Sequence, residues 1–139
     1  MTTGAAGAAG APGGDGLPAP REVAVAAARA AADKHATDVV VLDVSNLIVI
    51  TDAFVICTAA TERQVRSVIE SIEETLRGIG ARPARREGEP GAGWWLLDYV
   101  DVVVHVFAPE QRAYYDLERL WRDAPVVDWS PASGAASGR

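Results

Sequence analysis

Two histidines, one cysteine and a scatter of carboxylates are the residues in this chain that could hold a metal or move a proton. Zinc needs three or four His, Cys or acidic ligands at workable spacing, and His35, Cys57 and His105 are far apart and unclustered. His105 lies within an apolar strand-like run with no nucleophile beside it, and one imidazole without a nucleophile is not a catalytic unit. Its expected role there is structural. The cysteine has no neighbouring base or second cysteine, so it reads as a small buried hydrophobe. A Gly-x-Ser-x-Gly elbow, a phosphate-binding P-loop and a Gly-x-Gly-x-x-Gly turn are all missing from the sequence. Asp98 and Asp101 flank a short polar break, where Asp is favoured for its local hydrogen bonds. The chemistry left to such a set is recognition: large aromatic and aliphatic groups beside carboxylates.

The stretch that carries most of that set runs from Gly93 to Phe107. Two apolar runs, Trp94–Leu97 and Val102–Phe107, surround Asp98-Tyr99-Val100-Asp101, and β-branched and aromatic residues bounded by Asp and Gly predict a hairpin. With Tyr99 and Val100 as the loop, Leu97 faces Val102 and Trp94 faces His105. The two-residue period then divides the side chains into two faces. Trp95, Leu97, Val102, Val104 and Val106 form an apolar face suited to lie under helices. Trp94, Leu96, Asp98, Asp101, Val103, His105 and Phe107 form a mixed face suited to a half-exposed binding surface. Tyr-Val is a poor pair for a tight loop that wants positive φ, and a slip in register would change the cross-strand partners.

The other elements follow from patterning. Pro20 to His35 is rich in Ala, the best helix former, with Val23, Ala27 and Ala30 on one stripe and Pro20 in the first turn. Asp38–Val44 reads as a buried central strand and Thr51–Thr58 as a second strand, joined through Ser45-Asn46-Leu47. Thr61-Glu-Arg-Gln64 has capping-box spacing, and Val65, Val68, Ile69, Ile72, Leu76 and Ile79 continue the helical stripe until Gly78 and Gly80 end it. Arg82 to Glu87 reads as an edge strand, because Pro83 cannot donate to a ladder. Its three arginines, Arg82, Arg85 and Arg86, could touch RNA, but charge also protects sheet edges and that reading is favoured. A last helix is predicted from Glu110 to Trp121, with Tyr114, Leu117 and Trp121 on its core side, stopped by Pro125. The order predicts an α/β domain: a mixed five-stranded sheet with helices packed on it.

Composition sets the bounds. The chain has 139 residues and is 49% hydrophobic, enough for one domain with a proper core. A domain of about 110 residues, 20–129, buries roughly 65% of its unfolded surface and needs no staple. Residues 1–19 are almost all Ala, Gly, Pro and Thr, too little burial to offset ordering entropy, and are expected to be disordered, as is the tail 130–139. No apolar run is long enough to span a membrane and no signal peptide is evident. The lone cysteine suits a reducing compartment, so a cytoplasmic location is expected. A net charge of −6, from 19 acidic and 13 basic residues, disfavours nucleic acid, DNA included, as the main direct ligand and favours a basic protein.

Six segments in order carry a family resemblance: Asp43-Val-Ser45, Thr51-Asp-Ala-Phe-Val-Ile-Cys57, Arg63-Gln-Val65, Trp94-Trp-Leu-Leu-Asp-Tyr99, Asp101-Val-Val-Val-His-Val-Phe107 and Tyr114-Tyr-Asp-Leu-Glu-Arg-Leu-Trp121. Together they closely resemble the ribosomal silencing factor family, also called Iojap, over about Ala24 to Val127. The resemblance implies a nucleotidyltransferase-like fold without catalysis, and the Gly-Ser pair with Asp-x-Asp that such enzymes use is absent here. It implies no cofactor, binding to ribosomal protein fourteen of the large subunit, interference with subunit joining under nutrient limitation, and a homodimer when free. Trp95 stands where the family more often has an aliphatic residue, Val100 where Gly is common, and Ala53 where an aromatic is usual. The expected partner-binding residues are Trp94, Leu96, Asp98, Tyr99, Asp101 and His105, with Tyr115, Glu118 and Arg119 adjoining; Trp121 and Tyr114 are expected in the core. Two other classes remain open: a small nucleotidyltransferase-like enzyme, and a ribosomal-RNA-binding module built on Arg82, Arg85 and Arg86.

Overall fold

A computed structural model describes residues 18–130, so the sequence expectations for the head and tail lie outside the described residues except at their inner ends. The elements, in chain order, are α1 (Pro20–Asp33), β1 (Thr37–Asp43), β2 (Ala53–Thr58), α2 (Glu62–Gly78), β3 (Arg85–Glu87), β4 (Trp94–Asp98), β5 (Val102–Phe107), α3 (Pro109–Tyr115) and α4 (Leu117–Leu120). The strands form one five-stranded sheet in the order β1-β2-β5-β4-β3. Only β2 and β5 run parallel, so the sheet is mixed as predicted.

Alternation of side chains gives the sheet two differently covered faces. Val41, Val55, Cys57, Leu97, Val102, Val104 and Val106 point to one side, under Ala24, Ala27, Ala28 and Ala31 of α1 and Val65, Val68, Ile72 and Leu76 of α2. The alanine stripe lets α1 approach closely. On the other side Leu42, Phe54, Ile56 and Phe107 pack with Leu117, Trp121 and Ala124 from the end of the chain. α2 begins as its capping spacing predicts: Gln64 N–H donates to Thr61 Oγ1 at 3.0 Å. The Gln64 side chain reaches one residue further back than expected, accepting from Ala60 N–H, and also donates to the carbonyls of Lys34 and His35, tying α2 to the end of α1.

Several expectations are corrected. The central strand is β2, buried at all six positions, whereas β1 lies toward an edge. That edge is closed by the segment after α4: Asp43 N–H donates to Pro125 C=O, Val127 N–H to Val41 C=O, and Trp129 Nε1 to Val39 C=O. An apolar run alone cannot show on which side a strand is flanked. The hairpin register is shifted by two residues, pairing Leu97 with Val104, Leu96 with His105 and Trp94 with Phe107. The loop is therefore Val100-Asp101, closed by Tyr99 N–H to Val102 C=O at 2.8 Å. A slip of two preserves the faces, which is why the face assignment survives the wrong register.

The last helix is not continuous. Asp116 adopts φ 50, ψ 54, a left-handed conformation that Asp tolerates better than most residues, and splits α3 from α4. The break turns Leu117 and Trp121 down onto Phe54, with Trp121 at 5.5 Å from that ring, and leaves Tyr114 81% exposed instead of in the core. Arg112 clamps the two pieces by donating from Nε and Nη2 to the two oxygens of Glu118, at 2.9 and 2.6 Å.

Val100 is held at φ 71 in the hairpin loop, although its N–H is satisfied by Asp98 Oδ1 at 2.8 Å. A β-branched residue in the left-handed region costs about 1–2 kcal/mol, partly offset by the unfolded-state entropy that Gly would add. Val100→Gly is therefore expected to raise stability by roughly 0.5–1 kcal/mol, read as a higher urea midpoint with unchanged slope. A lower midpoint would show that the loop is unstrained.

Candidate functional site

The mixed face of the hairpin is built by β4 and β5 and bordered by α3. Trp94, Leu96 and Asp98 alternate along β4 and all three are half-buried. The Trp94 ring lies 5.0 Å from Phe107 and 4.4 Å from Tyr115, so the end of α3 extends the aromatic surface of the strand. Tyr115 is 44% exposed and meets the exposed Tyr114 edge to face at 5.1 Å. An open groove of about 600 Å³ follows the α3–α4 break, lined by Tyr114, Tyr115, Asp116, Arg119 and Leu120. Leu120 is 70% exposed. Trp94, Leu96 and Tyr115 thus share a partly open apolar surface on a rigid sheet.

The expected residues divide by position. Asp101 and Arg119 are exposed, at the hairpin loop and on α4. Asp98 faces the mixed side but is already engaged: Arg85 Nε lies 3.3 Å from its Oδ2 and the Val100 N–H fills its Oδ1. Glu118 is likewise held, and the hydrogen bonds from Arg112 keep its carboxyl below the usual carboxylate range against an opposing effect of burial. Arg112 also donates to Thr58 Oγ1 at 2.8 Å, which fixes α3 to the end of β2.

Two residues depart from the expected surface. Tyr99 packs with the helix-side core, because it comes just before the Val100-Asp101 loop and the two-residue alternation puts it on the side of Trp95 and Leu97. Burial, with Glu73 nearby, pushes its phenol up to about 12. His105 does lie on the mixed face but is only 5% exposed, beneath Trp94 and Phe54. Burial lowers its pKa to about 4, so it stays neutral at ordinary pH. The buried Cys57 thiol is pushed up to about 12 by the same desolvation, which leaves it unreactive.

The arginine-rich edge is also occupied. Arg86 donates to Glu73 of α2 and stands 5.5 Å over the Trp95 ring, while Arg85 pairs with Glu87 and Asp98. Trp95 is accommodated because Gly88 presents bare backbone: a Cβ there would sit 2.5 Å from the indole. Sequence reasoning missed Tyr114, Leu120 and the exposed strand connection at Val49 and Ile50. The available signal for the first two was Asp116, a residue able to break a helix in an otherwise helical pattern. No group of three or more His, Cys, Asp or Glu that could hold a metal occurs among the described residues, and no helix among them is long and apolar enough to cross a membrane.

Comparison with known proteins gives the chain a family. Residues 18–138 match the family model described as ribosomal silencing factor during starvation. The ribosomal silencing factor RsfS of Bacillus subtilis is 40% identical over 102 residues, covering 73% of this chain and 86% of that protein. The chloroplastic protein Iojap of Zea mays is 39% identical over 109 residues, 76% of this chain and 46% of that longer protein. A crystal structure of a Chromobacterium violaceum protein superimposes with a TM-score of 0.72 at 33% identity, covering 76% of this chain and 88% of the other. A second, from Bacillus halodurans, gives 0.66 at 38% identity, covering 78% and 98%. The match takes in the whole sheet and every residue of the hairpin face, and the chain belongs to the ribosomal silencing factor family.

Proposed function

We propose that this protein docks on the large ribosomal subunit through ribosomal protein fourteen and, by its bulk, keeps the small subunit from joining, lowering translation when nutrients are short. The observation that carries the reading is the contiguous, half-open surface of Trp94, Leu96 and Tyr115 on a rigid sheet. Aromatic anchors of this kind supply the desolvated centre of an interface, and exposed charges such as Asp101 and Arg119 its rim. A standard interface takes about 800 Å² per partner, within reach of a hairpin face and one helix edge. The action is positional, with no bond made or broken, and it takes place in the cytoplasm. A homodimer in the free state belongs to the same reading.

The ion pairs of Arg85 and Arg86 work against the RNA-binding alternative, since two of its three cations are already neutralised. The test is sedimentation of the full chain with purified large subunits. Trp94→Ala combined with Leu96→Ala is expected to keep a native circular-dichroism spectrum and lose at least 2 kcal/mol of binding, as interface anchors do. Co-sedimentation at wild-type affinity would exclude this face as the contact. Binding should also weaken with salt, as rim charges are screened.

A further inference from the structure

Behind the half-buried indole lies a part-buried polar contact that an apolar docking face does not require. The indole Nε1 of Trp94 lies 3.2 Å from Nδ1 of His105. An indole nitrogen is a donor only, so the imidazole nitrogen facing it must be the unprotonated one. His105 is therefore held as the Nε2–H tautomer. Its ring is fixed on two further sides, edge-on to Phe54 at 5.2 Å and parallel to Phe107 at 6.1 Å. Nε2 is buried without a hydrogen-bond partner, so the Trp94 contact is the imidazole's hydrogen bond.

We propose that His105 is a positioning residue for the docking face: it anchors the Trp94 N–H from inside the sheet, so that the indole is fixed before binding and presents only carbon to its partner. The inference rests on the docking reading above and adds the partner's chemistry. An indole whose N–H is taken offers nothing to a carbonyl or carboxylate. Its match is an aliphatic side chain, laid against the Trp94–Tyr115 pair. Fixing the ring in advance also removes the rotamer entropy that a half-exposed side chain would lose on binding. His105 itself never touches the partner, since it is buried beneath the ring it holds.

The experiment uses the full chain labelled with ¹⁵N at its indoles, Trp94 being assigned by Trp94→Phe. In the wild type the Trp94 N–H is expected to be protected from solvent exchange. His105→Leu should keep the thermal midpoint within a few degrees, expose that N–H to fast exchange, and weaken binding to purified large subunits about tenfold. His105→Asn, whose Oδ1 falls near the position of Nδ1, should restore protection and most of the affinity. In a Trp94→Phe background, His105→Leu should change affinity less than twofold, because no N–H remains to be held. Unchanged protection and affinity in His105→Leu would overturn the proposal. So would the same tenfold loss in the Trp94→Phe background, which would make His105 act independently of the indole. If His105→Leu fails to fold, the Asn variant decides: an unprotected indole with wild-type affinity overturns the proposal. If the wild type itself does not bind subunits, the docking reading fails, and exchange of the indole alone decides whether His105 anchors it.

Discussion

Phe107→Ala is expected to destabilise the protein by about 3–5 kcal/mol, a large share of the 5–15 kcal/mol that holds an ordinary domain together. Phe107 is fully buried at the end of β5 and packs into the outer core with Phe54, Ile56 and Ala124. Removing the ring loses its transfer free energy and leaves a cavity that the sheet cannot close, because β5 is hydrogen-bonded on both sides by β2 and β4. The effect should reach the docking face as well. Trp94 rests on this ring at 5.0 Å and Tyr115 at 6.1 Å, so both anchors lose their floor. Urea denaturation of the variant should show the loss as a lower midpoint, and subunit binding should fall even at temperatures where the variant remains folded. Leu120→Ala, on the exposed rim of the groove, should change stability by no more than about 0.5 kcal/mol. A loss below 1 kcal/mol for Phe107→Ala would mean that the outer core is loosely filled and that the anchors are held by something else.

The sheet and its two faces were legible because they depend on a period of two and on which side is continuously apolar. Trp95, Leu97, Val102, Val104 and Val106 fall on one side whatever the loop, and they do line the helix-covered core. The cap at Thr61 was legible because it is a local bond between a side chain and a backbone N–H three residues on. What escaped depends on distant partners. The order β1-β2-β5 cannot be read from two apolar runs of similar length, and the closure of the β1 edge by Val126 and Val127 involves residues about 85 positions away. Tyr99 is expected in the hairpin loop and among the binding residues, but the shifted register makes it a strand-end position on the same side as Trp95 and Leu97. The charges of Asp98 and Glu118 looked free because Arg85 and Arg112 are brought to them by folding. The family, in contrast, was carried by six short segments whose order is visible without any fold.

Acid should expose the cost of burying His105. The imidazole has its pKa lowered from 6.5 to about 4 by desolvation, with no titrating partner within hydrogen-bond distance. Above pH 6.5 it is neutral in both folded and unfolded chains, so its stabilising effect is fully present. Between pH 6.5 and 4 the unfolded chain takes up a proton that the folded protein refuses, and stability falls with pH. At about 1.4 kcal/mol per unit the loss approaches 3 kcal/mol by pH 4, and this group contributes little further change below that. Carboxylates held low by hydrogen bonds, Glu118 by Arg112 and Asp43 by Ser45, lose their contribution in a more acidic window, from ordinary values of 4.5 and 3.8 downward. The two windows separate the causes. Urea midpoints should fall from pH 6.5 to 4.5 in the wild type and stay nearly level in His105→Leu, with both proteins losing stability together below that. Equal slopes in the upper window would mean that another group, and not this imidazole, takes up the proton. Protonation of the folded protein, near pH 4, would also turn Nδ1 into a donor facing the Trp94 N–H, so the indole should be released only at the acid end of this window.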